Sequence, residues 1–232
     1  MLYFSTLLIS FIITIIVTPF FRRIAIRVNA VDIPNARKVH TRPIPKCGGI
    51  AMAFGTLLPV FFLYVEDRQI TSIIIGAAII VIFGVLDDIK DLHYRIKFAG
   101  QIIASLIVIL WGGVTIKNLG MLLPWDVVLP DFIAIPLTLV AIVGVTNSVN
   151  LADGLDGLAG GLSILSFSLI GYLAFMSDNY LITLVSFTLI GAVFGFLRFN
   201  NYPAILFMGD AGSQFLGFLA ICLSLILTQN NS

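Results

Sequence analysis

Eight apolar stretches divide this sequence, at approximately 3–21, 48–65, 70–86, 98–112, 132–148, 160–177, 180–197 and 212–228. Helical runs of about 17 residues or more cross a hydrocarbon layer ~30 Å thick. The alternation that strands require is absent, and helices close their own backbone hydrogen bonds, as lipid demands. Composition agrees: 59% of residues are hydrophobic, 11% are charged, and mean hydropathy is +1.08. A soluble domain could not keep that much apolar surface out of water. The expected fold is an all-α polytopic integral membrane protein of about eight transmembrane helices, forming one domain over 1–232. The first stretch lacks a small-residue cleavage site and reads as a retained helix rather than a signal peptide.

Lys and Arg set the orientation. With Met1 outside, the inner segments hold Arg22, Arg23, Arg27, Arg37, Lys38, Arg42, Lys46, Lys90, Arg95, Lys97 and Arg198. The outer segments hold only Arg68 and Lys117, and eleven against two is a strong positive-inside bias. A net charge of +1 therefore conceals a polarised molecule whose basic face meets anionic headgroups. The longest outer segment, 113–131, reads as an interfacial stretch with Trp125 at headgroup depth. Cys47 falls at an inner edge and Cys222 near the middle of the last span, too far apart in depth to bridge.

The acids gather on the same inner side. Asp32, Asp87, Asp88, Asp91, Asp153, Asp156 and Asp210 account for seven of the twelve. Asp87 and Asp88 end the third span, at a helix C-terminus whose partial negative charge opposes a carboxylate by ~0.3–1 kcal/mol. Asn147, Asn150 and Asp153 end the fifth span at steps of three, close enough in angle to face one site. Carboxylates at two such ends call for a cation: Lys97, Lys90 or a metal. Asp210 precedes the last span, where it could be a helix N-cap. The amides of Gly212 and Ser213 behind it would suit a phosphate.

Plainer readings stand beside these. Asp87 and Asp88 with Lys90 could form a solvated, salt-bridged loop. Gly160 and Gly161 suit close helix packing. His40 and His93 are lone histidines in basic loops, where a structural or solvated role is expected rather than metal binding. The basic run 22–46 serves as a topology signal, and Phe207 as interfacial packing. Three carboxylate groups converging on one boundary beside basic residues favour a divalent cation handling phosphates, since Mg²⁺ takes carboxylate and phosphate oxygens. No P-loop occurs, and "GLDGLAGG" does not match a dinucleotide fingerprint.

Four stretches carry a resemblance: "DIPNARKVHTRPIPKCGGIA", "GVLDDIKDL" with Lys97 beyond it, "NSVNLADGLDGLAGG" and "PAILFMGDAGSQFLG". In this order they resemble the polyprenyl-phosphate N-acetylhexosamine-1-phosphate transferases, of glycosyltransferase family 4 type. The "RKVH" loop looks more like the antigen and teichoic-acid branch than the peptidoglycan branch. The resemblance implies transfer of a sugar 1-phosphate from a UDP-N-acetylhexosamine to a polyprenyl phosphate. UMP is released, Mg²⁺ is the cofactor with Mn²⁺ as its substitute, and the setting is the cytoplasmic face of a bacterial inner membrane.

Carried over, Asp210 would be the principal metal ligand, with Asp153 beside it. Asp87 and Asp88 would act near the lipid phosphate, and Asn150 and Asp153 would complete the reacting centre. Asn147, Gly154, Asp156 and Asn200 would contact the nucleotide, with Phe207 stacking on uracil. Lys38, His40, Lys46 and Lys97 would neutralise phosphate charge. The implied partners are the UDP-sugar, the lipid phosphate and the membrane, with no nucleic acid and a homodimer left open. Family members carry further spans and a later loop with an HxHH-type motif. This chain has only His40 and His93, and is expected to be C-terminally truncated relative to them. The alternative is a membrane scaffold that keeps substrate binding without turnover. A transporter is disfavoured because the acids cluster at one face rather than near the midplane.

Overall fold

The computed structural model describes residues 2–34, 41–64, 66–120 and 128–229. Each apolar stretch becomes a helix: α1 (Leu2–Arg27), α2 (Gly48–Tyr64), α3 (Arg68–Lys90), α4 (Tyr94–Leu106), α5 (Asp131–Ala152), α6 (Leu158–Met176), α7 (Tyr180–Asn200) and α8 (Gly209–Gln229). A π-helical turn, Ile107–Trp111, prolongs α4. Among the described residues, seven helices are long and apolar enough to cross a membrane. The eighth, α2, has 17 residues, about 25 Å at 1.5 Å per residue, slightly less than a typical hydrocarbon core. The protein is thus a multi-pass, all-α membrane protein. Trp125, Lys38 and His40 lie outside the described residues.

Local chemistry sets the helix ends. Asp67 caps α3, its Oδ1 accepting the Ile70 amide at 2.8 Å. Asn179 caps α7 by accepting from Ile182 at 3.1 Å. At its far end α3 stops at Asp91, which turns left-handed with φ 47°. Asp87 and Asp88 therefore occupy the last turn of α3, as the sequence predicts.

Helices α7 and α8 form the buried centre of the bundle. α1 and α6 pack on α7, while α3 and α5 pack on α8 and α2 lies against both. Small residues bring backbones together. Along α1, Thr6, Ser10, Thr14 and Thr18 recur every four residues and are buried. A Cβ at Gly191 of α7 would strike the Leu7 carbonyl, and one at Gly195 would meet Thr14. Hydrocarbon supplies no hydrophobic drive between helices, so this fit of small surfaces holds them together. Gly160 follows the expectation, being pressed against Leu197, whereas Gly161 faces open space and contributes no packing contact.

At one end of the bundle the chain between α1 and α2 pairs with itself. Strands β1 (Val31–Asp32) and β2 (Ile44–Pro45) are antiparallel, with Val31 opposite Pro45. The segment before α8 joins them. The Phe207 amide donates to the Pro45 carbonyl at 2.8 Å, and the Phe207 carbonyl accepts from Cys47 and Gly48. Lys46 and Phe207 are thereby fixed side by side. Cys47 and Cys222 are both free and buried. Burial pushes the Cys47 thiol up to about 12, so it stays protonated and unreactive.

Candidate active site

A cleft of about 1080 Å³ opens at this end of the bundle. It is walled by the end of α1, residues 41–46 leading into α2, the last turn of α3, the α5–α6 connection and the α7–α8 connection. These are the segments in which the sequence placed its acids. Of the predicted residues, Lys46, Asp88, Asn150, Asp153 and Gly154 line the cleft, together with Asp156, Asn200, Phe207 and Asp210.

The α3 and α8 ends meet head to tail. The Asp88 carboxylate accepts the backbone amides of Asp210 at 3.0 Å and Ala211 at 3.2 Å. A carboxylate disfavoured at one helix C-terminus thus sits on the positive N-terminus of another. Asp88, rather than Asp210, performs the capping, and Asp210 lies within the first turn of α8. This also revises the expectation for the free amides of that turn. Gly212 is covered by Gly49 of α2, and the leading amides are already engaged by Asp88. Gly209 makes the junction close: its φ is +72°, and a Cβ there would collide with the Asp88 carboxylate.

The cation the sequence called for is Lys97, not Lys90. Its ammonium pairs with Asp87 Oδ2 and, at 3.0 Å, with Asp210 Oδ2. Asp87 also accepts the Leu92 amide at 2.8 Å, closing the turn after α3. Neither Asp87 nor Lys97 lines the cleft; they brace Asp210 from behind. Lys46 lies 4.0 Å from Asp88 on the open side.

Asn147 departs from the prediction. Its carboxamide turns into the bundle toward Gln101 instead of joining Asn150 and Asp153 at the cleft. Asn150 accepts the Ser213 hydroxyl at 2.6 Å, so α5 and α8 are tied at the cleft floor. Asn200 has a strong structural duty: its Oδ1 accepts the Gly157 amide at 2.9 Å and its Nδ2 donates to the Leu206 carbonyl at 3.0 Å. Asp156 accepts the Ala204 amide at 2.9 Å. Together they clamp the glycine-rich turn to the α7–α8 connection. Gly154 is different, because a Cβ there would meet no protein atom.

Asp153 is the acid with the least support. No cation pairs with it among the described residues. Burial, followed by the charges of Asp210 and Asp156, pushes its carboxyl up to about 6. Among the described residues no three His, Cys, Asp or Glu side chains converge to cage a metal. Mg²⁺ needs no such cage, since one or two carboxylates, substrate phosphates and water satisfy it. Asp153 and Asp210, two carboxylates that line the same cleft, fit that donor set.

Residues beyond the prediction also line the cleft: Arg22, Arg42, Asp32 and Tyr202 among them. Arg22 and Arg42 read in the sequence only as topology signals. Gln101 and Gln214, buried beneath the acids, were missed altogether. Their signal was spacing: each follows a charged site residue, Lys97 or Asp210, by four positions, one helical turn.

Residues 70–228, a span holding α4 to α7 whole and most of α3 and α8, match the model of glycosyl transferase family 4. The chain belongs to that family. It is 39% identical over 94% of its length to a probable undecaprenyl-phosphate N-acetylglucosaminyl 1-phosphate transferase of Bacillus subtilis, covering 61% of that protein. It is 33% identical over 98% of its length to the undecaprenyl-phosphate alpha-N-acetylglucosaminyl 1-phosphate transferase of Escherichia coli K12, covering 64%. The decaprenyl-phosphate N-acetylglucosaminephosphotransferase of Mycolicibacterium smegmatis is 33% identical over 90% of the chain and is 56% covered. The chain thus spans about three fifths of these relatives' length. Within the family-4 segment lie Asp87, Asp88, Asn150, Asp153, Asp156, Asn200 and Asp210, most of the acids and amides that meet at or behind the cleft.

Proposed function

We propose that this chain transfers N-acetylglucosamine 1-phosphate, or a related N-acetylhexosamine 1-phosphate, from a UDP-sugar to a membrane polyprenyl phosphate, releasing UMP. This transfer would be the first membrane step in the synthesis of a cell-envelope polysaccharide. The observation that carries this reading is the cleft itself. It brings unpaired and paired carboxylates together with Lys46, Arg22 and Arg42 at one end of a membrane bundle. A lipid phosphate anchored in the bilayer and a nucleotide sugar from water can meet only at such a boundary. We assign that boundary to the cytoplasmic face of the bacterial inner membrane, in keeping with the Lys and Arg bias.

In the reaction, an oxygen of the lipid phosphate attacks the sugar-bearing phosphorus. A new phosphoanhydride forms as the bond to UMP breaks, so one anhydride replaces another. The lipid phosphate is already ionised near neutral pH, which leaves positioning and charge neutralisation as the main demands. Asp210 and Asp153 would hold Mg²⁺, or Mn²⁺ in its place. When bound there, such an ion would supply charge neutralisation for phosphate oxygens. Lys46, Arg22 and Arg42 balance phosphate charge at the cleft mouth. Asn150, steadied by Ser213, offers a carboxamide beside Asp153. Gly154 allows the nucleotide to approach the backbone, and Phe207 supplies an aromatic face for uracil. Asp87, Asp88 and Lys97 set the position of Asp210.

The test is release of UMP from UDP-N-acetylglucosamine by the purified chain in detergent. Release that requires both polyprenyl phosphate and a divalent cation supports the proposal. Nucleotide binding without release would favour the scaffold reading.

A further inference from the structure

Beneath the cleft, three carboxamides from three helices form a continuous chain ending on Asp210. Asn147 of α5 donates from Nδ2 to the Gln101 Oε1 of α4 at 2.7 Å. Gln101 donates from Nε2 to Gln214 Oε1 of α8 at 3.0 Å, and back to Asn147 Oδ1 at 3.3 Å. Gln214 donates from Nε2 to Asp210 Oδ2 at 3.3 Å. Gln101 and Gln214 are 2% and 3% exposed, so they are shielded from both water and lipid.

The chain has a fixed direction. Asn147 also donates from Nδ2 to the Val143 carbonyl at 2.8 Å, and a carbonyl can only accept. That contact orients the Asn147 amide, which orients Gln101, which in turn leaves Gln214 with its NH₂ toward Asp210. Flipping any member would set oxygen against oxygen or nitrogen against nitrogen. Polar side chains buried in a membrane bundle are costly unless paired, and here each amide finds a partner at both ends. The outcome is that Lys97 and Gln214 both fall on Oδ2 of Asp210. Both nitrogen donors that reach the Asp210 carboxylate from these side chains therefore share one of its two oxygens.

We infer that Asn147, Gln101 and Gln214 are positioning residues for the transfer reaction. Their amide relay, rooted at the Val143 carbonyl, locks the Asp210 carboxylate so that Oδ2 is held by protein and Oδ1 is presented to the cation. The inference rests on the proposed role of Asp210 in the transfer. Asn147 accordingly acts through Gln101 rather than by touching substrate.

The experiment uses the full chain in detergent with Gln101→Met, Gln214→Met and the pair. Gln101 touches neither the cleft nor Asp210, yet Gln101→Met is expected to lower kcat about tenfold. KM for the UDP-sugar should stay within about twofold, and the pair should be little worse than either single change, as expected of residues acting in series. Should Gln101→Met not fold, Gln101→Glu, which retains an acceptor but removes the donor to Gln214, replaces it. In parallel, apparent unfolding temperatures give a double-mutant cycle between Gln101→Met and Asp210→Asn. The loss caused by Gln101→Met should fall to about half once Asp210 is changed. Additive losses, or unchanged kcat in a folded Gln101 variant of an active enzyme, overturn the relay. If the unmodified chain shows no turnover, the transferase reading fails while the cycle still decides whether Gln101 and Asp210 are coupled.

Discussion

Asp88, in the last turn of α3, holds the first turn of α8 by accepting the backbone amide of Asp210 at 3.0 Å. The contact joins a helix end that repels carboxylates to one that attracts them. It makes Asp88 a positional element, controlling where the Asp210 side chain stands. Asp88→Asn keeps an acceptor oxygen but loses the charge. It is expected to destabilise the protein by only about 1 kcal/mol, the usual scale of a helix cap, while reducing turnover far more. Thermal unfolding and UMP release on the same preparation check the two together. A loss of stability without loss of turnover would separate the cap from the chemistry.

Two glycines in the cleft should respond in opposite ways. Gly209→Ala places a Cβ against the Asp88 carboxylate at a left-handed φ of +72°. Strain of about 1–3 kcal/mol is expected there, read as a lowered unfolding temperature. Gly154→Ala meets no protein atom and should leave unfolding unchanged. Any rise in KM for the UDP-sugar in Gly154→Ala then reports contact with substrate, and an unchanged KM would remove Gly154 from the nucleotide site.

Lys97 pairs with two carboxylates at once, those of Asp87 and Asp210. In Lys97→Met those acids face each other without a cation. The variant should unfold at lower temperature than the parent, and Mg²⁺ should restore a larger part of that loss than it adds to the parent. Unfolding temperatures with Mg²⁺ and with chelator measure both. Equal Mg²⁺ shifts in the two proteins would place the cation away from Asp210.

Asp153 predicts the pH dependence. Its folded carboxyl is pushed up to about 6, above the usual 3.8, by burial and by Asp210 and Asp156. Between those values the folded state binds more protons than the unfolded state, so stability falls as pH rises through about 4 to 6 and levels off above. With chelator present, Asp153→Asn should flatten that part of the curve. With Mg²⁺ present the parent should instead gain stability as pH rises past 6, because the cation needs the ionised form. Unfolding temperature against pH, with and without Mg²⁺, tests the sign of both slopes.

Much of this was legible before any fold. The apolar runs located all eight helices, because lipid leaves a backbone few other choices. Short, alternating connections then force alternate helix ends to one side, and this gathers Asp88, Asp153 and Asp210 although they are far apart in sequence. Side-chain direction was not legible. Asn147, Asn150 and Asp153 share spacing, yet Asn147 turns inward because Gln101 of a different helix offers it a partner. Asp210 looked like an N-cap because the true capping group, Asp88, comes from another helix. The small-residue contacts of α1 with Gly191 and Gly195 were likewise invisible without knowing which helices are neighbours.

The most direct test of the account follows the phosphate between sugar and nucleotide. UDP-N-acetylglucosamine labelled at the β-phosphate would be incubated with the chain, polyprenyl phosphate and Mg²⁺, and the lipid and nucleotide products separated. The account predicts label in a lipid carrying two phosphates and the sugar, with unlabelled UMP as the other product. Label retained on the nucleotide as UDP, with sugar alone on the lipid, would contradict it.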